Sequence, residues 1–326
     1  MKVPARFAPG PMGKATAVTV AMCLCIWLFP LAAVVLVPFL PLPVAHLIAR
    51  RGMAPGAVVA LVSGGLVFGA VGMGVALPAF LIVLGLGTVV GQAARRDWRL
   101  GKSLATGAAA ALGAFWVSGG TLWFTAGLSV SRLHESVDAS IGDAAEFYTR
   151  MGVSAQTTDT VSGQLGQIAH VLPYLTPGLT AMAAVLLAGC SLGLAHRLFP
   201  RGREKVAVGL SLSGFRMHWA AAYASIGGLA MLVVARGSGE WRNALVYLGL
   251  NVLLVSQTVF FIQGFAVARW FALSRELRPG SRRILMLAAI LGQALFQITG
   301  LFGLLDTWID YRRRFAVKKP GTGSVR

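Results

Sequence analysis

Apolar blocks, each long enough to cross a bilayer and divided by short clusters of Lys and Arg, run through nearly the whole 326-residue chain. A helix crosses the hydrocarbon core with about 20 apolar residues, and only a helix or a closed barrel satisfies its backbone there. Barrel strands alternate apolar and polar residues over segments of about ten, and that alternation is missing. A soluble fold is excluded by supply. Charged residues make up 12% of the chain, about half the usual share, too few to clothe a domain of this length. The mean hydropathy of +0.72 agrees. The expected fold is an all-α, polytopic transmembrane helical bundle of about eight to nine spans, set in a lipid bilayer.

The formal net charge is +18, which on a soluble domain would point to a phosphate backbone. Here the cations sit between apolar blocks, as cytoplasmic loops do under the positive-inside bias. No soluble basic arm is evident, so no nucleic-acid partner is expected. The reading is a multi-pass protein of a bacterial inner (cytoplasmic) membrane. Lys2, Arg6 and Lys14 precede the first apolar run in the manner of a signal peptide. The run continues past Pro30 without a small-residue cleavage site, so it is expected to remain as the first span. Cys23, Cys25 and Cys190 all lie in apolar blocks. Cys23 and Cys25, two apart, point to nearly opposite sides of a helix and make neither a metal site nor a redox pair.

Residues 1–14 form a basic segment, and 15–130 a Gly/Pro-rich group of transmembrane helices. The first block, 15–49, is cut by Pro30, Pro38, Pro41 and Pro43; proline removes a backbone donor and kinks or ends a helix. A full span to about Val37, a Pro-rich turn and a short segment ending at Arg50 and Arg51 are expected. Broken backbone at membrane depth is tolerated only against protein or a wet cavity, which makes Pro41, Pro43 and His46 candidate binding residues. In the next spans, near 55–72 and 75–93, Gly65/Gly69 and Gly87/Gly91 have the spacing that lets helices approach closely. The run Gly85-x-Gly87-x-x-x-Gly91 has the wrong spacing for a dinucleotide fingerprint and lacks its βαβ setting.

A span over 103–130 leads to the polar segment 131–170, where Glu135, Asp138, Asp143, Glu146 and Asp159 outnumber Arg132 and Arg150. Leu133, Val137, Ile141, Ala145 and Tyr148 recur there at helical spacing. Either an amphipathic helix lies at the outer surface as a lid, or the segment is a solvated connector. C-terminal transmembrane helices occupy 171–311, with spans near 173–196, 213–235, 241–268 and 284–309, and 312–326 is a basic tail. An odd count of crossings would put that tail on the outer side, against its charge. Either the last block is not a simple crossing, or the broken first block hides a different count.

The zinc helix, the P-loop and the nucleophile elbow are all absent, and no acid, base and nucleophile converge. No enzyme activity and no cofactor are therefore expected. His46, His134, His170, His196 and His218 are scattered, without the clustering a metal needs. Polar residues inside spans are the remaining candidates, because burying them in lipid is costly. Asn251, Gln257 and Gln263 lie in one helix, Gln293 and Gln297 in the last. Gln293, Gln297 and Gly300 share a helical face at i, i+4 and i+7, with Gly264 able to approach it. They read as interhelical hydrogen-bond glue or as a solute-facing surface. Asp306, Trp308, Asp310 and Arg312 close the last span. They read as a docking or proton-linked motif, or as an interfacial helix end in which Asp310 pairs with Arg313 or Arg314.

Three stretches carry a family resemblance: Phe260-Phe261-Ile262-Gln263-Gly264 within 251–269, Gly300-Leu301-Phe302-Gly303-Leu304-Leu305-Asp306-Thr307-Trp308-Ile309-Asp310-Tyr311-Arg312, and Pro41-Leu42-Pro43 followed by Arg50-Arg51-Gly52. Over about residues 15–314 the chain resembles the YybS-like family of bacterial polytopic membrane proteins of unknown function. The N-terminal half of that family is similar to the substrate-binding subunits of energy-coupling-factor vitamin transporters, six-helix proteins with a Pro-containing first loop near the ligand. The resemblance implies that Pro41, Pro43 and the outward ends of the first spans border a pocket for a small-molecule solute. It also implies ATPase subunits or another membrane partner. The chain departs from that pattern in its extra C-terminal spans and long outer segment, and it carries no vitamin motif. Small-solute transport or substrate binding is the first expectation. The alternative is a non-enzymatic scaffold that docks a cytoplasmic or envelope partner through Arg197, Arg201 and Arg203.

Overall fold

The computed structural model describes residues 9–125, 130–152, 154–199, 212–237, 239 and 241–315. Lys2, Arg6, Arg201, Arg203, Lys205, Lys318 and Lys319 lie outside them, as do the side chains of Arg132, Leu133, His134, Val137, Asp159 and His170. Every regular element among the described residues is helical.

Proline shapes the first block as expected, but earlier in the chain. Helix α1 (Pro9–Leu28) stops ahead of Pro30, which has no N–H to continue it. A 3-10 turn, Pro30–Ala32, and the single turn α2 (Ala33–Leu36) follow. α3 (Leu42–Arg51) restarts with Pro43 in its first turn, where a missing N–H costs nothing. It ends at Gly52, whose φ of 99° favours glycine, and α4 (Met53–Val71) begins at once. α3 lies parallel to α5 (Met73–Arg95) with Gly87 and Gly91 at the contact. A Cβ on Gly91 would stand 2.8 Å from the Ala45 carbonyl oxygen and 2.7 Å from Ile48 Cβ. The other expected pair does no such work. Gly65 and Gly69 face open space, and Gly64 is the glycine that abuts Phe80.

α6 (Leu100–Thr125) returns antiparallel to α5, and α8 (Ala155–Leu198) packs against it where Gly107 meets Ala188. Leu86, Val90, Leu104, Ala188 and Leu192 fill the core between them. α8 is 44 residues long, about 66 Å at 1.5 Å per residue. Only its later part, Val171–Leu198, is apolar enough to cross a bilayer. Its earlier part pairs with α7 (Val130–Arg150) as a helical hairpin. The lid or connector expected over 131–170 is therefore a hairpin continuous with a span. Ile141, Ala144 and Ala145 are half-buried where α7 packs on α8, whereas Tyr148 at the end of the stripe stays exposed.

α10 (Arg242–Ser274) runs parallel to α8, with Gly178 beside Asn251 and Gly189 beside Ile262. α9 (Ala222–Val234) is antiparallel to α10, where Ser225 donates to Ser256 across 3.0 Å and Gly228 meets Gly249. The span expected over 213–235 is only partly helical. Met217 N–H donates to the Gln263 side chain and Ala220 N–H to His218 Nδ1, so this stretch pairs with side chains instead of its own ladder.

The expected single span over 284–309 is broken. α11 (Pro279–Phe296) and α12 (Ile298–Ile309) meet at Gln297, in left-handed conformation with φ 55°, and the chain bends there by 103°. α12 turns back along α11: Thr299 Oγ1 donates to the Ala289 carbonyl at 2.6 Å, and Gly300 N–H to Gln293 Oε1 at 2.8 Å. α12 then descends beside α10. Gln257 meets Gly300, Phe260 meets Gly303 and Gln263 meets Asp306, each pair 43 residues apart. A constant offset means parallel helices, so the hairpin enters and leaves by one face. Gln293, Gln297 and Gly300 consequently do not share one helical face.

Six helices among the described residues are long and apolar enough to cross a membrane. That number is near the expected eight to nine, and the broken stretch 29–51, antiparallel to α1, and α9, antiparallel to α10, also reverse the chain without being long enough to join it. The re-entrant pair adds none. The last helical turn, α13 (Tyr311–Arg314), thus returns to the face that carries Lys14, Arg50, Arg95, Arg197 and Arg282. The conflict between an odd count and a basic tail is removed.

Candidate functional site

The glutamines of the last two helices gather at the hairpin. Gln257 Nε2 donates to the Gln297 carbonyl at 3.3 Å, while Gln293 Oε1 accepts from Gly300. Both side chains thus satisfy backbone groups released by the break, a need that lipid cannot meet. Gly264 and Gly303 sit where α10 and α12 touch. A Cβ on the first would run into the Thr299 carbonyl, and on the second into that of Phe260.

Gln263 and Asp306, assigned separately from sequence, belong to one buried network. Gln263 accepts from Met217 N–H at 3.0 Å and donates to Asp306 Oδ2 at 3.1 Å. Asp306 also accepts from Tyr311 N–H at 3.1 Å and faces Arg312 at 3.6 Å, both charged side chains fully buried. Arg312 donates to the Ser213 carbonyl at 2.8 Å, but its Nε has no hydrogen-bond partner. Burial pushes the Arg312 guanidinium below its ordinary pKa; Asp306 opposes this, Arg216 adds to it, and Asp310 opposes it. Asp310 does not pair with the Arg313 or Arg314 side chain. It adopts left-handed backbone, caps α13 by accepting from Arg313 N–H at 3.2 Å, and pairs with Arg216 at 3.0 Å. Once the chain reverses there, helical spacing from Asp310 no longer applies. Trp308 is exposed, as befits an aromatic at a membrane interface.

Asn251 is spliced into a neighbouring helix. Its Oδ1 accepts from Gly178 N–H and its Nδ2 donates to the Tyr174 carbonyl at 2.8 Å. An uninterrupted α8 would pair those two groups with each other, but Pro173 and Pro177 disturb it there. A second bond from Nδ2 reaches the Tyr247 carbonyl, and Tyr174 and Tyr247 stack at 4.2 Å. Beside this joint lies an apolar cavity of about 450 Å³ bounded by α8, α9 and α10.

A second cavity, of about 540 Å³, lies between α1, α3 and the end of α8. Lys14, Arg50 and Arg51 stand at one end, and Val18, Leu47 and Phe199 belong to its apolar walls. Pro43 and His46 line it, the His46 ring meeting Phe199 edge-on at 5.1 Å between centroids. Pro41 does not. It is buried, and its carbonyl accepts from Ala45 N–H at 2.9 Å while facing Gly87. This cavity opens at the basic ends of α1 and α3, not at the outward ends of the first spans where the resemblance implies a pocket. Sequence reading missed Lys14, Arg50 and Phe199 as its lining. The antiparallel course of α1 and α3 was the available signal, since it sets the first cation of one beside the last of the other. Ser191 Oγ donates to the Pro38 carbonyl at 2.9 Å, so α8 anchors the broken backbone above this cavity. Among the described residues, no three His, Cys, Asp or Glu side chains are placed to share a metal.

Long apolar helices, buried small-residue crossings and a re-entrant hairpin with internally satisfied backbone define a polytopic helical membrane protein. The chain belongs to the family described as predicted membrane protein (DUF2232), whose family model matches residues 17–307. This agrees with the YybS-like resemblance and with the absence of a known function for that family. No curated protein and no solved structure matches the chain.

Proposed function

We propose that this protein binds a small solute in a bacterial inner membrane, in the service of transport rather than catalysis, at the cavity of Pro43 and His46. The observation that supports this is the cavity itself. Its volume of about 540 Å³ falls in the range typical of ligand sites, and it combines apolar walls with a few convergent polar groups. The positive-inside bias puts its cationic end on the cytoplasmic side. The chain has no nucleotide-binding motif, so an energised cycle requires separate ATPase subunits or another membrane partner. Native mass spectrometry of gently extracted protein tests the reading. A small-molecule adduct that Val18→Trp removes supports it, and co-eluting ATPase subunits extend it to transport. Protein that stays bare in every extraction counts against it.

A scaffold role has one observation of its own. Phe147, Tyr148 and Met151 are exposed together at the end of α7, on a hairpin outside the spans, where an envelope partner could pack on them. Replacing all three with serine should then abolish recovery of a stoichiometric partner; unchanged recovery would remove this reading.

A further inference from the structure

The cavity between α1 and α3 is polarised along its length. Lys14 stands on the α1 wall, and Val18 and Met22 follow one and two turns further in. On the other wall α3 runs the opposite way, so Arg50 and Arg51 lie beside Lys14, His46 stands midway, and Leu42 lies deepest, near Phe39. From cation to deep end each wall spans eight residues, about 12 Å of helix. No carboxylate among the described residues is within ion-pair distance of Lys14 or Arg50. The cationic end is exposed, whereas Leu42, Leu47 and Phe199 are buried. A neutral apolar solute would leave Lys14 and Arg50 without a counter-charge, and a small inorganic anion would leave about 12 Å of apolar wall unfilled.

We infer that the cavity takes an amphiphilic anion, its head at Lys14 and Arg50 and one apolar chain running between α1 and α3 toward Met22 and Phe39. This rests on the binding reading above and names its ligand class. A phospholipid of the surrounding leaflet and a free single-chain amphiphile share that chemistry. Both meet the charge complementarity of the rim, where each Lys or Arg near a membrane surface attracts anionic headgroups.

The test uses the full chain in phosphatidylcholine nanodiscs, with dodecyl phosphate, dodecanol and inorganic phosphate as probes and adducts read by native mass spectrometry. Dodecyl phosphate is expected to bind at least tenfold more tightly than either partial analogue. Lys14→Glu with Arg50→Glu, both exposed positions, is expected to weaken it about tenfold while leaving dodecanol unchanged. Val18→Trp, which fills the cavity from the exposed α1 wall, is expected to remove dodecyl phosphate binding. A phospholipid adduct on the extracted protein that the charge reversal removes assigns the leaflet as the source. A non-phospholipid adduct lost in the same way assigns a free amphiphile. Equal binding of dodecanol and dodecyl phosphate, still sensitive to Val18→Trp, overturns the ligand class and leaves the site standing. Binding of all three probes that ignores Val18→Trp overturns the site as well.

Discussion

Asp306 and Arg312 meet across a reversal of the chain at Asp310, their nearest charged atoms 3.6 Å apart and their side chains 3% and 4% exposed. Removing one member of a buried pair strands the other, at a cost of about 3–5 kcal/mol. Asp306→Ala is therefore expected to lower stability by about that amount in denaturant unfolding of detergent-solubilised protein. Asp306→Asn combined with Arg312→Met should cost less than the sum of the two single substitutions. Single substitutions within about 0.5 kcal/mol of the parent would show that the pair does not hold α12 to the 213–217 stretch.

Gly264 of α10 and Gly303 of α12 divide sharply from Gly65 and Gly69 of α4. Gly264→Ala or Gly303→Ala places a methyl group against the backbone of the opposing helix, and overpacking of this kind costs about 1–3 kcal/mol. Gly69 faces open space, so Gly69→Ala should be neutral or gain up to about 1 kcal/mol of helix propensity. The same unfolding assay ranks the three. Equal losses at all of them would contradict the close approach of α10 and α12.

Labelling distinguishes the re-entrant hairpin from a bent crossing. In a cysteine-free background, Arg283→Cys and Arg314→Cys should both react with an impermeant maleimide from the side that labels Arg96→Cys. Arg236→Cys, between α9 and α10, should react from the opposite side. Arg314→Cys labelled together with Arg236→Cys would make 284–309 a true crossing.

The graft of Asn251 onto α8 is open to the same treatment. Asn251→Leu removes both interhelical bonds, and such bonds in membranes are worth about 0.6–2 kcal/mol. A loss in that range is expected, together with faster proteolysis near Pro177. An unchanged profile would mean that α8 closes its own ladder between Tyr174 and Gly178.

Much of this architecture is legible in composition, because apolar length and proline act locally. Pro30 ends α1, and the basic clusters mark one face. The break at Gln297 is not legible. No Gly or Pro announces it, and Gln293, Gln297 and Gly300 have the spacing of one continuous helix face. The left-handed turn is held by Gln293 and Thr299 beside it and by Gln257 from α10, and the support from α10 leaves no local trace. The same holds for Gln263 and Asp306, whose contact spans 43 residues. Pro43 and His46 stand out in the sequence because proline marks broken backbone. Lys14 and Arg50 were missed because their nearness depends on how α1 and α3 pack.

α8 joins the outer hairpin to Arg197 on a single rod of 44 residues. A tilt at one end of such a rod passes to the other unless the helix bends between them. A load taken up by α7 would reach the opposite face as a swing of Arg197 and of Phe199, the wall of the cationic cavity. Pro173 and Pro177 are where the rod would give, and there Asn251 grips it. The two surfaces of the membrane are therefore joined by unbroken helix, with its compliance confined to the joint that Asn251 holds.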